Sequence, residues 1–192
     1  MSKLALFLDR DGVINQDHGY VHRVEQFSWM PGVFDTVRTA NSLGLAVIVV
    51  TNQAGIARGY YTEKQFHALT TWMKLQFAEA GAPLADVYYC PFHPEGLPPY
   101  NVDSPFRKPA AGMLRQAAAD HGLDLTQSLL IGDQESDIRA GRAAGLTQVA
   151  LFSPVEPFQT SANVVLGGHG DACRWLREAF PAAAEGLLRN VD

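Results

Sequence analysis

Apolar residues along this chain fall in short, nearly continuous runs, separated by longer stretches in which they recur at helical spacing. The runs Leu4–Leu8, Leu45–Val50, Asp86–Cys90, Leu129–Gly132 and Thr147–Phe152 predict strands, and Asn163–Leu166 predicts a last one. The intervening stretches predict helices. Residues 31–43 begin with Pro31 and are followed by Gly44, the usual asymmetry of helix ends. Residues 62–80 give the clearest pattern: Thr62 and Gln65 make a capping box, Phe66, Leu69, Met73, Phe77 and Ala80 share a face, and Gly81 stops the helix. Further helices are expected from about Pro109 to His121 before Gly122, over Glu135–Ala144 before Gly145, and near Asp171–Phe180. Strands alternating with helices predict an α/β domain, read as one unit over residues 1–192, with a mostly parallel sheet and helices on both faces. Residues 91–109, rich in Pro and Gly, form a long irregular connection, and such loops are often functional.

Composition narrows the function classes. The 192 residues are 47% hydrophobic and 18% charged, a globular balance, with a formal net charge of -5. Lys and Arg are neither in excess nor clustered, so no nucleic-acid or anionic-membrane partner is expected. Cys90 and Cys173 suggest no disulfide framework. The apolar run before Asp9 is too short for a signal-peptide core or a membrane span, which makes a cytoplasmic location the expectation. Nothing in the pattern asks for an obligate interface, so a monomer is expected.

In open parallel sheets ligands bind outside the carboxyl ends of the strands. The first strand ends in Asp9-Arg10-Asp11-Gly12, the second in Thr51-Asn52-Gln53, and the fourth in Gly132-Asp133 with Asp137 beyond. The third unit leads through its loop to Arg107-Lys108-Pro109 at a predicted helix start. Each residue has an ordinary reading by itself: Asp caps turns and helices, and Lys is usually solvated. Together, at corresponding positions of successive units, they point to phosphoryl transfer. Asp9 and Asp11, two apart in extended chain, would point the same way, and adjacent carboxylates call for a divalent cation such as Mg²⁺. Lys108, the dipole of the helix starting near Pro109, and the Thr51 hydroxyl would meet the phosphoryl oxygens. Asp9 would attack phosphorus, while Asp11 would protonate the leaving alcohol and then deprotonate water. A phosphoreceiver-type signalling module uses similar groups, but there the acceptor Asp ends a later strand and Lys follows all the acids. A sugar-phosphate-binding module without turnover would share these motifs.

The motifs Leu8-Asp9-Arg10-Asp11-Gly12-Val13-Ile14-Asn15, Asp17-His18-Gly19-Tyr20-Val21-His22, Thr51-Asn52-Gln53-Ala54-Gly55-Ile56-Ala57-Arg58-Gly59, Arg107-Lys108-Pro109 and Ile131-Gly132-Asp133 with Asp137 resemble those of the haloacid dehalogenase superfamily of phosphatases. Within it the chain is similar to the heptose-1,7-bisphosphate phosphatase branch, and less so to the histidinol-phosphate branch. The resemblance implies a Rossmann-like fold without a large cap domain and a place in making a lipopolysaccharide precursor. It implies Asp9 as nucleophile, Asp11 as proton donor, and Mg²⁺ on Asp9, the Asp11 backbone carbonyl and Asp133, with Asp137 just outside. Thr51 and Lys108 would hold the transferring group. Asp17, His18, Gly19, Tyr20, Thr51, Asn52, Gln53, Ala54, Arg107 and Lys108 would meet substrate. Arg58 is either a contact to the distal phosphate of a bisphosphate or a surface residue.

One departure stands out. Many members of that branch carry a structural zinc on three cysteines and a histidine in the third loop. Here Cys90 remains, but Phe92, Ser104 and Phe106 occupy the other ligand positions. Four donors are needed for such a site, so structural zinc is expected to be absent; a substitute set would have to use Cys90, His93 and Asp103. Prolines 91, 94, 98, 99 and 105 would instead stiffen the loop, with Phe92, Tyr100 and Phe106 as apolar anchors.

Overall fold

The computed structural model describes residues 3–155 and 159–181. A parallel six-stranded sheet forms its centre, in the order β3-β2-β1-β4-β5-β6. The strands are β1 (Ala5–Leu8), β2 (Ala46–Asn52), β3 (Asp86–Cys90), β4 (Leu129–Gly132), β5 (Gln148–Phe152) and β6 (Val164–Leu166). The helices are α1 (Val33–Ser42), α2 (Ala54–Ala57), α3 (Glu63–Glu79), α4 (Gly112–His121), α5 (Glu135–Ala144) and α6 (His169–Ala179).

Alternate side chains of each strand feed opposite faces. Leu6 and Leu8 join a core with Val33 and Val37 of α1, Met73 and Phe77 of α3, and Leu176 of α6. Ala5 and Phe7 face the other way, against Met113 and Leu114 of α4 and Ile138 of α5. Helices therefore cover both faces, which is why the strands read as continuous apolar runs rather than alternating ones. No large cap domain stands over the strand ends among the described residues.

The chain runs outward from β1 to β2 and β3, then crosses back to place β4 on the other side of β1. The carboxyl ends of β1 and β4 thus flank the point where strand order reverses, the usual binding crevice of such sheets.

Two helix starts differ from expectation. Pro31 precedes α1, whose N-cap is Gly32 in a left-handed conformation (φ 83°). Likewise α4 begins at Gly112, not near Pro109; residues 109–111 form a turn, and the Gly112 amide donates to the Pro105 carbonyl at 3.0 Å. Proline suits a turn as well as a first helical position, so it marks the neighbourhood of a helix start without fixing it. The α4 N-terminus consequently lies farther along the chain from Lys108 than expected.

The loop from Pro91 to Ala111 is held by backbone bonds. The Leu97 amide donates to the Ala57 carbonyl of α2 at 2.6 Å, and the His93 amide to the Tyr100 carbonyl at 3.1 Å. Phe92 packs on the core beside α4, and its ring lies 5.9 Å from that of Tyr100. Phe106, expected as an anchor, is instead 38% exposed; Ser104, buried beside it, takes the Phe106 amide on its hydroxyl.

Candidate active site

Asp9 follows β1 directly, its amide still bonded to the Ile131 carbonyl of β4. The chain then turns sharply: the amides of Ile14 and Asn15 both donate to the Arg10 carbonyl, and Gly12 adopts φ +86°. A Cβ on Gly12 would lie 2.2 Å from Asp133 Oδ2, so this residue must be glycine for the β1 and β4 ends to approach.

That approach gathers charge. Ligand oxygens of Asp9, Asp133 and Asp137 lie within 4.8 Å of one another. The buried Lys108 ammonium donates to Val50 O at 2.8 Å and pairs with Asp9 at 2.9 Å and Asp137 at 2.6 Å. Three carboxylates around one ammonium would leave two negative charges in surplus if all were ionised. Burial pushes the Asp9 carboxyl up to about 8, a rise opposed by Lys108 and reinforced by Asp137 and Asp133. Burial likewise raises Asp133, to about 6, with Asp137 adding to it. Burial works against the Lys108 charge, but Asp9 and Asp137 overcome it and leave the ammonium more firmly protonated than usual. The buried oxygen Asp133 Oδ1 accepts no hydrogen bond among the described residues, while Asp137 Oδ1 is met by the Lys108 ammonium. Surplus charge, all-oxygen donors and open lone pairs suit Mg²⁺.

Asp137, in the first turn of α5, joins Asp9 and Asp133 in the metal-capable group while also pairing with Lys108. The Asp11 carboxylate is not among these oxygens; Arg10 Nη2 reaches its Oδ2 at 2.7 Å, and it lines the cavity along with Asp9.

A cavity of about 430 Å³ opens over these groups. Asp9, Asp11, Asp17, Gly19, Tyr20, Thr51, Asn52, Gln53, Ala54, Lys108, Asp133 and Asp137 all line it. Asn52 also clamps the Lys108 backbone, donating to its carbonyl at 3.1 Å and accepting from its amide at 3.0 Å. His18, Arg58 and Arg107 are not in the lining. His18 is exposed, its Nε2 3.3 Å from Ser28 Oγ. Arg58 lies 3.7 Å from Glu95 across the third loop. Arg58 Nε and Arg107 Nη1 are buried without a hydrogen-bond partner among the described residues. Tyr61, Gln134 and Ser136 complete the wall and carried no recognisable motif.

The comparisons with known proteins agree with this geometry. A family profile described as HAD-hydrolase-like matches residues 105–153, the stretch carrying Lys108, Asp133 and Asp137. The chain is 48% identical over 186 residues to the D-glycero-alpha-D-manno-heptose-1,7-bisphosphate 7-phosphatase of Burkholderia mallei, covering 95% of this chain and 98% of that one. The chain belongs to the haloacid dehalogenase superfamily of phosphatases. A second member, the D-glycero-beta-D-manno-heptose-1,7-bisphosphate 7-phosphatase of Haemophilus influenzae, is 44% identical over 80% of this chain and 83% of its own length. Among solved members, the D,D-heptose 1,7-bisphosphate phosphatase of B. bronchiseptica, complexed with magnesium and phosphate, superposes with a TM-score of 0.79 at 26% identity, covering 91% of this chain and 99% of that one. In this superfamily setting the aspartate cluster is a Mg²⁺ site, and the chain is a Mg²⁺-dependent phosphatase working through an aspartyl-phosphate. Cys90 is buried, its thiol raised by that burial, and neither it nor His93 nor Asp103 belongs to a metal-capable group among the described residues.

Proposed function

We propose that this phosphatase removes the 7-phosphate of a D-glycero-D-manno-heptose 1,7-bisphosphate, with Asp9 as nucleophile and Asp11 as proton carrier. The reading rests on one observation above the others: Asp9 lies beside Lys108 and among the oxygens of Asp133 and Asp137, at the floor of a cavity walled by the Asp17–Tyr20 loop. The high identity to proteins named for this activity supports the substrate.

In the first step an Asp9 oxygen bonds to phosphorus and the P–O bond to the sugar breaks, while Asp11 gives its proton to the departing oxygen. In the second, Asp11 takes a proton from water as that water attacks phosphorus, releasing phosphate and restoring Asp9. Thr51 donates its hydroxyl to a phosphoryl oxygen, and Lys108 holds Asp9 in place while offering positive charge to the transferring group. Asp9, Asp133, Asp137 and the Asp11 carbonyl would hold Mg²⁺, which supplies charge neutralisation for a dianion approaching an anionic nucleophile.

A single domain spanning the chain, monomeric and cytoplasmic, completes the proposal; no helix among the described residues is long and apolar enough to cross a membrane. The test is phosphate release across a panel of sugar phosphates, with Mg²⁺ and with EDTA. Turnover should be fastest on the heptose bisphosphate, vanish in EDTA, and vanish in Asp9→Asn. Binding without release would favour a sugar-phosphate-binding module, and release surviving EDTA or Asp9→Asn would overturn the mechanism.

A further inference from the structure

Arg10, Asn15, Gln53 and Tyr61 form a buried polar layer behind the catalytic aspartates. Arg10 is only 1% exposed. Its Nε and Nη2 both donate to Asp11, Nη2 also donates to the Val21 carbonyl, and the guanidinium lies 5.9 Å from the Phe66 ring centre. Asn15 Nδ2 adds a bond to Asp11 Oδ1 at 3.0 Å. On the far side, Gln53 Nε2 donates to Asp11 Oδ2 at 3.2 Å and to Thr51 Oγ1 at 2.8 Å, while Tyr61 donates its hydroxyl to Gln53 Oε1 at 2.5 Å.

Gln53 Nε2 is the donor to both Asp11 Oδ2 and Thr51 Oγ1, which turns the Gln53 oxygen toward Tyr61. Tyr61 must then donate. The second proton of the amide is spent on Thr51 Oγ1, which therefore accepts there and keeps its own proton for a partner in the cavity. One amide thus sets both the aim of the Asp11 carboxylate and the polarity of the Thr51 hydroxyl.

The surroundings are shaped to keep Tyr61 in place. A Cβ on Gly55 would lie 2.1 Å from Tyr61 Cε1, so the bare backbone of α2 makes room for the ring. The His22 ring stacks on that of Tyr61 with centroids 4.9 Å apart, nearly parallel. Burial also holds the Tyr61 phenol well above its ordinary value, so that it remains a donor.

We infer that Gln53, locked by Tyr61, is a positioning residue that couples the proton carrier Asp11 to the phosphoryl-binding hydroxyl of Thr51. The inference rests on the phosphatase reading and on the role proposed for Asp11, and it predicts a dependence on leaving group. An alkoxide leaving from a sugar needs a well-aimed proton; a nitrophenolate does not. Loss of the Tyr61 hydroxyl should therefore slow phosphoryl transfer from a sugar phosphate more than from an aryl phosphate.

The experiment compares kcat/KM, which reports formation of the aspartyl-phosphate, for heptose bisphosphate and 4-nitrophenyl phosphate with Mg²⁺. Tyr61→Phe keeps the ring and its packing; it should lose about tenfold on the sugar phosphate and less than threefold on the aryl phosphate, as expected for one buried hydrogen bond acting through a general acid. Gln53→Leu, which leaves Tyr61 in place, should show a larger loss with the same skew. Thermal unfolding of each variant checks the fold. Equal losses on both substrates, or none, would overturn the inference while leaving the phosphatase reading intact. An inert wild-type protein would overturn both.

Discussion

At the scale of single residues, the site is defined by which polar atoms lack partners. Asp133 Oδ1 sits unpaired in the aspartate cluster, and nitrogens of Arg58 and Arg107 sit unpaired beside and within the third loop. Burial, and then the charges of Arg107 and Arg58 against that of Glu95, hold His93 below its ordinary value. Neither arginine lines the catalytic cavity. A second phosphate on an extended substrate would have to reach out of the cavity to meet them. If it does, Arg58→Ala should raise KM about tenfold for a 1,7-bisphosphate and leave KM for a monophosphate unchanged, a loss of about 1.4 kcal/mol of binding. Steady-state kinetics on the two substrates checks this; a KM unchanged for both assigns Arg58 to the surface, where its 3.7 Å approach to Glu95 already places one end of it.

At the scale of elements, what could be read in the sequence was what local chemistry decides. The Thr62 capping box, the strand Asp86–Cys90 and the α5 limits Glu135–Ala144 are found where the pattern put them. The four-residue α2 was not legible, because so short a helix has no periodicity. The separation of the Asp11 carboxylate from the metal-capable cluster was hidden for a related reason: two-residue spacing aligns side chains only while the chain stays extended, and the strand has ended at Leu8. Tyr61 was missed because its role depends on a gap at Gly55 that only the fold reveals. The third loop gives a prediction of its own. The Leu97 amide bond to Ala57 of α2, and the Tyr100 amide bond to the Leu97 carbonyl within the loop, should protect both amides from hydrogen exchange even in metal-free buffer, and metal analysis should find no stoichiometric zinc. Rapid exchange at both amides would mean that the loop is not held in this way.

α6 supplies a second prediction at this scale. His169 is buried, with Nε2 2.8 Å from the Val13 carbonyl and Nδ1 2.9 Å from Thr36 Oγ1, so it ties α6 to the catalytic turn and to α1. A carbonyl only accepts, so Nε2 carries the proton and Nδ1 takes the Thr36 hydroxyl. Burial holds this imidazole below its ordinary value, despite the Val13 carbonyl and the more distant Asp35. On acidification the unfolded chain therefore binds the proton first. The stability from neutral His169 is complete above about pH 6.5 and declines as pH falls from there toward the lowered native value. His169→Gln should lower the melting temperature at pH 8 and flatten its dependence between pH 7 and 5.5. A pH slope identical to wild type would show that other groups govern acid sensitivity.

At the scale of the whole molecule, the fold brings together groups that repel. Crossing back from β3 to β4 sets Asp133 against the β1 end, and Gly12 removes the last steric obstacle. The result is three carboxylates set against one ammonium in a buried setting, an arrangement that resists ionisation and whose cost the two apolar cores carry until a cation binds. Metal affinity and strain in the metal-free protein should therefore share one cause. Mg²⁺ should raise the melting temperature by several degrees, since a ligand binding only the native state at about 100 times its Kd adds about 2.7 kcal/mol, and about 2–4 °C accompanies each kcal/mol at this chain length. Asp133→Asn removes one charge whose burial is unfavourable, at a side chain bonded only to Gln134 among the described residues. In EDTA this variant should melt higher than wild type. It should also lose the Mg²⁺-induced rise and the phosphatase activity. If Asp133→Asn instead melts lower without metal, the aspartates are held by contacts other than the cation, and charge surplus is not the reason this site needs Mg²⁺.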